Sequence, residues 1–409
     1  MTSLVHIAPQ LPPAIDGVGD YCWNLWKHWP VGTDSWHFAA LHHANETARH
    51  WPEVDVHGFA PNAESLRAVL EHTGAETAVL HYVGYGFQPK GIPRWLPVAL
   101  KQWRSASPSR RVVTMFHEMY ARSSPLRSPF WLAPLAKRII RELIDLSDAW
   151  ATSCERYFSQ LIAEFHAPCA EGRIIPIGTN IPLAGPLQDR GAHRIGPENK
   201  LRIVVFGLPK TRLWALERHW KLLRALAGTS SGASVTLVGK RNDPETERIW
   251  KRCAARIGPA LEWRRSFELS PEEISRELAN HEAGLLANEP DVLTKSGVFA
   301  AFATHGVVPI LSTQAGAFSR ASLSNAVFVN DDAELIPYVL ENLRDPARVA
   351  KAREHLLGFA SELSWERIGQ SWLEVLQLTT RRSSQVARAL RSINKNPAEA
   401  EFGSPVARV

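Results

Sequence analysis

The chain has 409 residues, 45% of them apolar and 22% charged, with a formal net charge of +6. That length accommodates two domains of about 150 to 200 residues each, with the composition of an ordinary globular protein. No run of about 18 apolar residues suggests a membrane span, and the four scattered cysteines lack the CxxC spacing of a thiolate zinc site or a disulfide frame.

Taken in chain order, the first half alternates strand-like and helix-like segments. Strands are expected at Leu4–Ala8, Trp36–Ala40, Asp55–Phe59, Ala78–Tyr82, Arg111–Phe116, Ala149–Ser153 and Arg173–Ile177. Helices are expected at Asp20–Trp29, Ala63–Thr73, Arg94–Arg104, Pro129–Leu146 and Glu155–Phe165. Residues 181–200 are rich in Pro and Gly without periodicity and read as a linker. The alternation restarts with strands at Leu201–Gly207, Ser234–Val238, Leu261–Arg264, Ala283–Ala287, Val308–Leu311 and Ala326–Phe328. The helices between them fall at Trp214–Leu226, Pro244–Ile257, Pro271–His281, after Ser296, and at Asp332–Leu343.

This pattern predicts an α/β protein with two Rossmann-like domains facing a cleft. The expected boundaries are 1–180, the linker 181–200, 201–357, a last helix at 358–378, and a tail at 379–409. The tail holds six cations against Glu399 and Glu401, so the body carries only about +2; such an end reads as solvated and disordered. No basic–aromatic repeat points to nucleic acid. Nothing resembling a secretory leader precedes the first strand, so a cytoplasmic location is expected. The segments Ile92–Arg104 and Phe130–Arg141 mix Trp, Leu and Ile with Lys and Arg. They suit either packing on their own sheet or peripheral contact with the inner membrane face.

Ligands of open α/β sheets bind where strands end, so the strand-to-helix loops hold the candidate site residues. The most informative segment is EPDVLTKSGVFAAFATHGVVPIL, from Glu289 to Leu311. It sets Lys295, Ser296 and Gly297 at a helix N-terminus, where free N–H groups and a cation suit an anion. Gly306 stands where a C-terminal cap belongs. The first loop offers Gly17 and Gly19, which permit close backbone approach or positive φ, or form a plain turn; Asp20 could cap the helix that follows. His81 and His117 end two strands, and each is either structural or a cleft residue. Lys210 and Arg212 follow Gly207, and Lys240 follows Gly239; these cations could neutralise a diphosphate or be solvated turn residues.

On these residues the chain resembles the retaining GT-B glycosyltransferases of the group 1 family. The resemblance implies transfer of a sugar from a nucleoside-diphosphate sugar to a glycan or lipid-linked acceptor, with no cofactor beyond that donor. It implies that His117 holds the donor sugar with His81 behind it, and that Gly17 and Gly19 lie near donor phosphate or acceptor. Lys210, Arg212 and the Lys295–Gly297 turn would stabilise the departing diphosphate, and Gly239 and Lys240 would line the nucleotide pocket. No DxD triplet ends a strand, so no metal ligand is expected.

The resemblance breaks at two acidic positions. The family's two glutamates would fall at Leu293 and Ala301; Glu289 and Asp291 stand near the first, and nothing acidic replaces the second, which in the family grips the ribose. A non-catalytic scaffold of the same fold therefore stays open as an alternative, as does a sugar-nucleotide epimerase.

Overall fold

The computed structural model describes residues 3–14, 16–30, 35–121, 124–185, 200–229, 232–312, 326–329 and 335–379. The first domain runs β1 (Ser3–Ala8), α1 (Gly17–Lys27), β2 (Ser35–Ala40), α2 (Ala44–His50), β3 (Val56–Gly58), α3 (Ala63–His72) and β4 (Thr77–Tyr82). It continues with α4 (Gly84–Phe87), α5 (Trp95–Ser105), β5 (Arg111–Phe116), α6 (Ser128–Leu146), β6 (Ala149–Thr152), α7 (Glu155–Phe165) and β7 (Gly172–Ile174). The seven strands are parallel in the order β3-β2-β1-β4-β5-β6-β7. All six residues of β4 are buried, as a central parallel strand covered on both faces requires.

The second domain comprises β8 (Leu201–Gly207), α8 (Pro209–Ala227), β9 (Ala233–Gly239), α9 (Pro244–Ile257), β10 (Glu262–Phe267) and α10 (Pro271–Ala279). It is completed by β11 (Ala283–Leu286), α11 (Gly297–His305), β12 (Val308–Leu311), β13 (Phe328–Val329), α12 (Leu335–Arg344) and α13 (Pro346–Ala360). Its six parallel strands order as β10-β9-β8-β11-β12-β13. The edge strand β10 carries Glu262, Arg264 and Arg265, charges that discourage pairing with another chain. Strand order reverses between β1 and β4 and again between β8 and β11, so each sheet offers a crevice at its carboxyl edge.

The chain then returns to the first domain. After a 3-10 turn at Ser361–Leu363, residues 365–379 form α14. Trp365, Ile368, Trp372 and Val375 pack with Tyr21 and Leu25 of α1 on Val79, Val113 and Met115 of the sheet. Trp372 Nε1–H donates to the Tyr21 hydroxyl at 2.7 Å, and Trp365 Nε1–H donates to the Thr179 carbonyl at 2.8 Å. Gly178 has no side chain because a Cβ there would lie 2.7 Å from the Trp365 ring.

Several expectations shift. Helix α1 begins three residues before Asp20, and its cap is Asp16, whose carboxylate accepts from the Val18 and Gly19 amides. The expected start of the last helix, residue 358, falls inside α13, a helix capped by Asp345 with proline at its first position. Residues 186–199 of the linker and 380–409 of the tail lie outside the described residues.

Candidate functional site

On the first domain's rim, Gly17 opens α1 with nothing near its Cα face, whereas a Cβ on Gly19 would lie 2.5 Å from the Gln10 carbonyl oxygen. Neither glycine has positive φ. Gly19 packs closely on the loop before it, and the Val18 and Gly19 amides are capped by Asp16. The neighbouring Asp20 carboxyl is raised to about 6 by burial, then by the Asp16 charge, against a lowering hydrogen bond from Asn180.

His81 and His117 belong to a row of three histidines that also includes His6. His6 in β1, His81 in β4 and His117 just past the end of β5 share one face, because the register aligns His6 with Val79 and His81 with Met115. His6 Nδ1 lies 2.9 Å from His81 Nε2, and His81 Nδ1 lies 3.0 Å from His117 Nε2. Trp36 stacks on His6 with centroids 4.0 Å apart, and the Tyr21 ring meets His117 edge-on. Burial holds all three rings neutral: His81 falls to about 3, and His6 and His117 fall well below the ordinary value. The Lys295 charge adds to the lowering at His117.

A neutral imidazole has one donor and one acceptor, so the row must run in one direction. His6 Nε2 is buried without a partner. Because orphaned buried N–H groups are rare in folded proteins, we assign that nitrogen as the bare acceptor. The proton then sits on Nδ1 of each ring, with His117 Nδ1–H at the far end of the row. His81 is fully buried between the other two rings.

On the second domain, Gly207 and Gly239 end neighbouring strands with φ of +124° and +131°. A Cβ on Gly239 would lie 2.3 Å from the Gly207 carbonyl oxygen, so two loops meet there that only glycine permits. Arg212 fastens this junction. Its guanidinium donates to the carbonyls of Gly207, Val238 (3.3 Å) and Lys240 (2.5 Å) and to Asn242 Oδ1 (2.6 Å), and it lies over the Phe267 ring. Only 2% of Arg212 is exposed. Its reading as a diphosphate ligand therefore gives way to a structural one, because Nη1 and Nη2 already have acceptors and Nε is buried. Lys210, in the first turn of α8, and Lys240 remain exposed cations at this rim.

The two rims meet at the start of α11. Ser296 caps it, accepting from the Phe299 amide at 3.2 Å, and the space before Gly297 is open. Gly306 takes φ +63° at the other end and receives the expected left-handed cap. Lys295 reaches across to the first domain: its Nζ donates to the Tyr157 hydroxyl at 2.7 Å and lies 3.9 Å from Glu118. Glu289 is engaged too. With Asp291 it grips Arg156 of α7, Asp291 at 2.6 and 2.9 Å. Leu293 and Ala301 are fully buried in the apolar core, so neither position faces a ligand. Sequence reasoning overlooked His6, Tyr157 and Arg156, which acquire meaning only once strand register and domain docking are known.

No family model matches the chain, and no curated protein matches it by sequence. Solved structures do. Sucrose-phosphate synthase of Thermosynechococcus elongatus superposes with a TM-score of 0.67 at 15% identity, covering 93% of this chain and 100% of that one. HepE of Anabaena, solved with UDP and glucose, gives 0.63 at 14% identity, covering 92% and 100%. The fold is GT-B. The lipopolysaccharide outer core galactosyltransferase WaaB shares it, with a TM-score of 0.60 at 11% identity over 92% of this chain and 99% of that one.

Proposed function

We propose that the protein transfers a sugar from a nucleoside-diphosphate sugar to a glycan or lipid-linked acceptor, with retention of configuration and without a metal ion bridging the diphosphate. One arrangement carries this reading: Lys295, beside the N-terminus of α11, lies 3.9 Å from Glu118, the residue after His117 at the carboxyl edge of the first sheet. The solved HepE complex with UDP and glucose supports it by fold alone.

In this reading the open N-terminal turn of α11 and the Lys295 ammonium stabilise charge that develops on the leaving diphosphate. Lys210 and Lys240 add positive potential at the rim. His117 Nδ1–H donates to a sugar hydroxyl, and no side chain acts as a covalent nucleophile. The acceptor fits a 320 Å³ recess at the carboxyl edge of the first sheet, lined by His42, Tyr85 and Trp95 among others. Exposed Leu126, Phe130 and Trp131 at the start of α6 suit a lipid-linked acceptor and peripheral membrane contact.

The test is release of free nucleoside diphosphate from a panel of UDP-, GDP- and ADP-sugars, with product analysis. Transfer or slow hydrolysis of one donor supports the proposal, and conversion of a donor to its epimer would make the protein an epimerase. A second reading, a non-catalytic scaffold, is favoured by the burial of Leu293 and Ala301 and by the commitment of Glu289 to Arg156. No turnover of any donor would favour it.

A further inference from the structure

The outer edge of the first sheet carries a cluster that the transfer reaction does not use. His37 lies near the amino end of β2, Asp55 immediately precedes β3, and His57 lies within β3. Phe38 N–H donates to the Asp55 carbonyl, and Ala39 pairs with His57. Strand alternation therefore puts all three side chains on one face. That face is the one α3 covers, and His72 in the last turn of α3 brings its ring to 5.1 Å from that of His57.

One ligand atom from each of His37, Asp55 and His57 lies within 4.8 Å of the others. His37 Nδ1 is 2.5 Å from Asp55 Oδ2, a hydrogen bond. His57 Nε2 is 2.8 Å from Asp55 Oδ1, so both imidazoles contact the one carboxylate, and this nitrogen is sealed from solvent. Two imidazole nitrogens gathered on one carboxylate are an arrangement that a divalent cation can take over from the bridging protons.

The geometry points to a zinc site built from His37 Nδ1, Asp55 and His57 Nε2, with His72 or water in the fourth position. Two imidazoles and a carboxylate are a borderline-soft donor set of the kind zinc takes. The ion would fasten β3, only three residues long, to β2. The site stands at the amino ends of these strands, away from the carboxyl-edge cleft, so it does not depend on the proposed transfer reaction.

The experiment uses tag-free full chain, stripped with chelator and titrated with Co²⁺ alone. A tetrahedral d–d absorption that saturates at one ion per chain and is displaced by Zn²⁺ is expected. His37→Ala and His57→Ala should each weaken Co²⁺ binding by at least about tenfold, while His50→Ala leaves it unchanged. X-ray absorption of the zinc-loaded wild type needs no variant. It should show only nitrogen and oxygen neighbours, at about 2.0–2.1 Å. Absence of a saturable one-site spectrum, a sulfur neighbour from Cys169, or equal binding by folded His37→Ala and His57→Ala would overturn the site.

Discussion

Replacing His6 with phenylalanine keeps an aromatic ring against Trp36 but removes the far end of the histidine row. The consequence is a change in how stability depends on pH. In the folded chain burial holds His6 neutral, with its pKa well below the ordinary 6.5. The unfolded chain protonates it normally, so below pH 6.5 the unfolded state binds one more proton and stability falls as pH falls. Between pH 7.5 and 5.0 the effect per buried histidine is 1.36 kcal/mol per unit over about 1.5 units, roughly 2 kcal/mol. His6→Phe removes one such contribution. At pH 7.5 the variant should be the less stable protein, since His81 Nε2 loses its partner. At pH 5.0 the gap should move by about 2 kcal/mol in the variant's favour. Urea unfolding followed by tryptophan fluorescence at the two pH values reads this directly. Parallel pH dependence of the two proteins would refute the neutral, dry row.

Other outcomes follow from the same contacts. Gly239→Ala puts a Cβ against the Gly207 carbonyl at positive φ, and should destabilise the second domain by about 2–4 kcal/mol, read as a lower melting temperature. Arg212→Lys keeps the charge but cannot span four acceptors. It should lower the melting temperature while leaving ligand affinity of the folded protein unchanged, and the reverse would restore Arg212 to the ligand. Trp372→Phe removes the hydrogen bond to Tyr21 and should cost about 1 kcal/mol, with faster proteolysis at the end of α14.

Much of the fold is legible in the chain because parallel strands buried on both faces read as apolar runs. Leu4–Ala8, Thr77–Tyr82 and Val308–Leu311 all stand out this way. The short helix α2, ANETARH, escapes because it has no apolar periodicity. Helix α13 carried readable signals, Asp345 and Pro346 at its start and Val349, Ala352, Leu356 and Phe359 on its buried face. The site is less legible for a physical reason. Arg212 looks like a rim cation until the acceptors on Val238, Lys240 and Asn242 are brought to it by a neighbouring strand. Glu289 likewise looks available until domain docking gives it Arg156. His117 and Lys295, by contrast, sit at a strand end and a helix start, positions that local sequence marks.

Calorimetric titration of UDP, GDP and ADP into the wild-type chain and Lys295→Ala tests the central claim most directly. One nucleotide should bind the wild type at micromolar concentration, near −8 kcal/mol, and the substitution should weaken it about tenfold or more. No binding by any of the three, or equal affinity in both proteins, would contradict a diphosphate site at the start of α11.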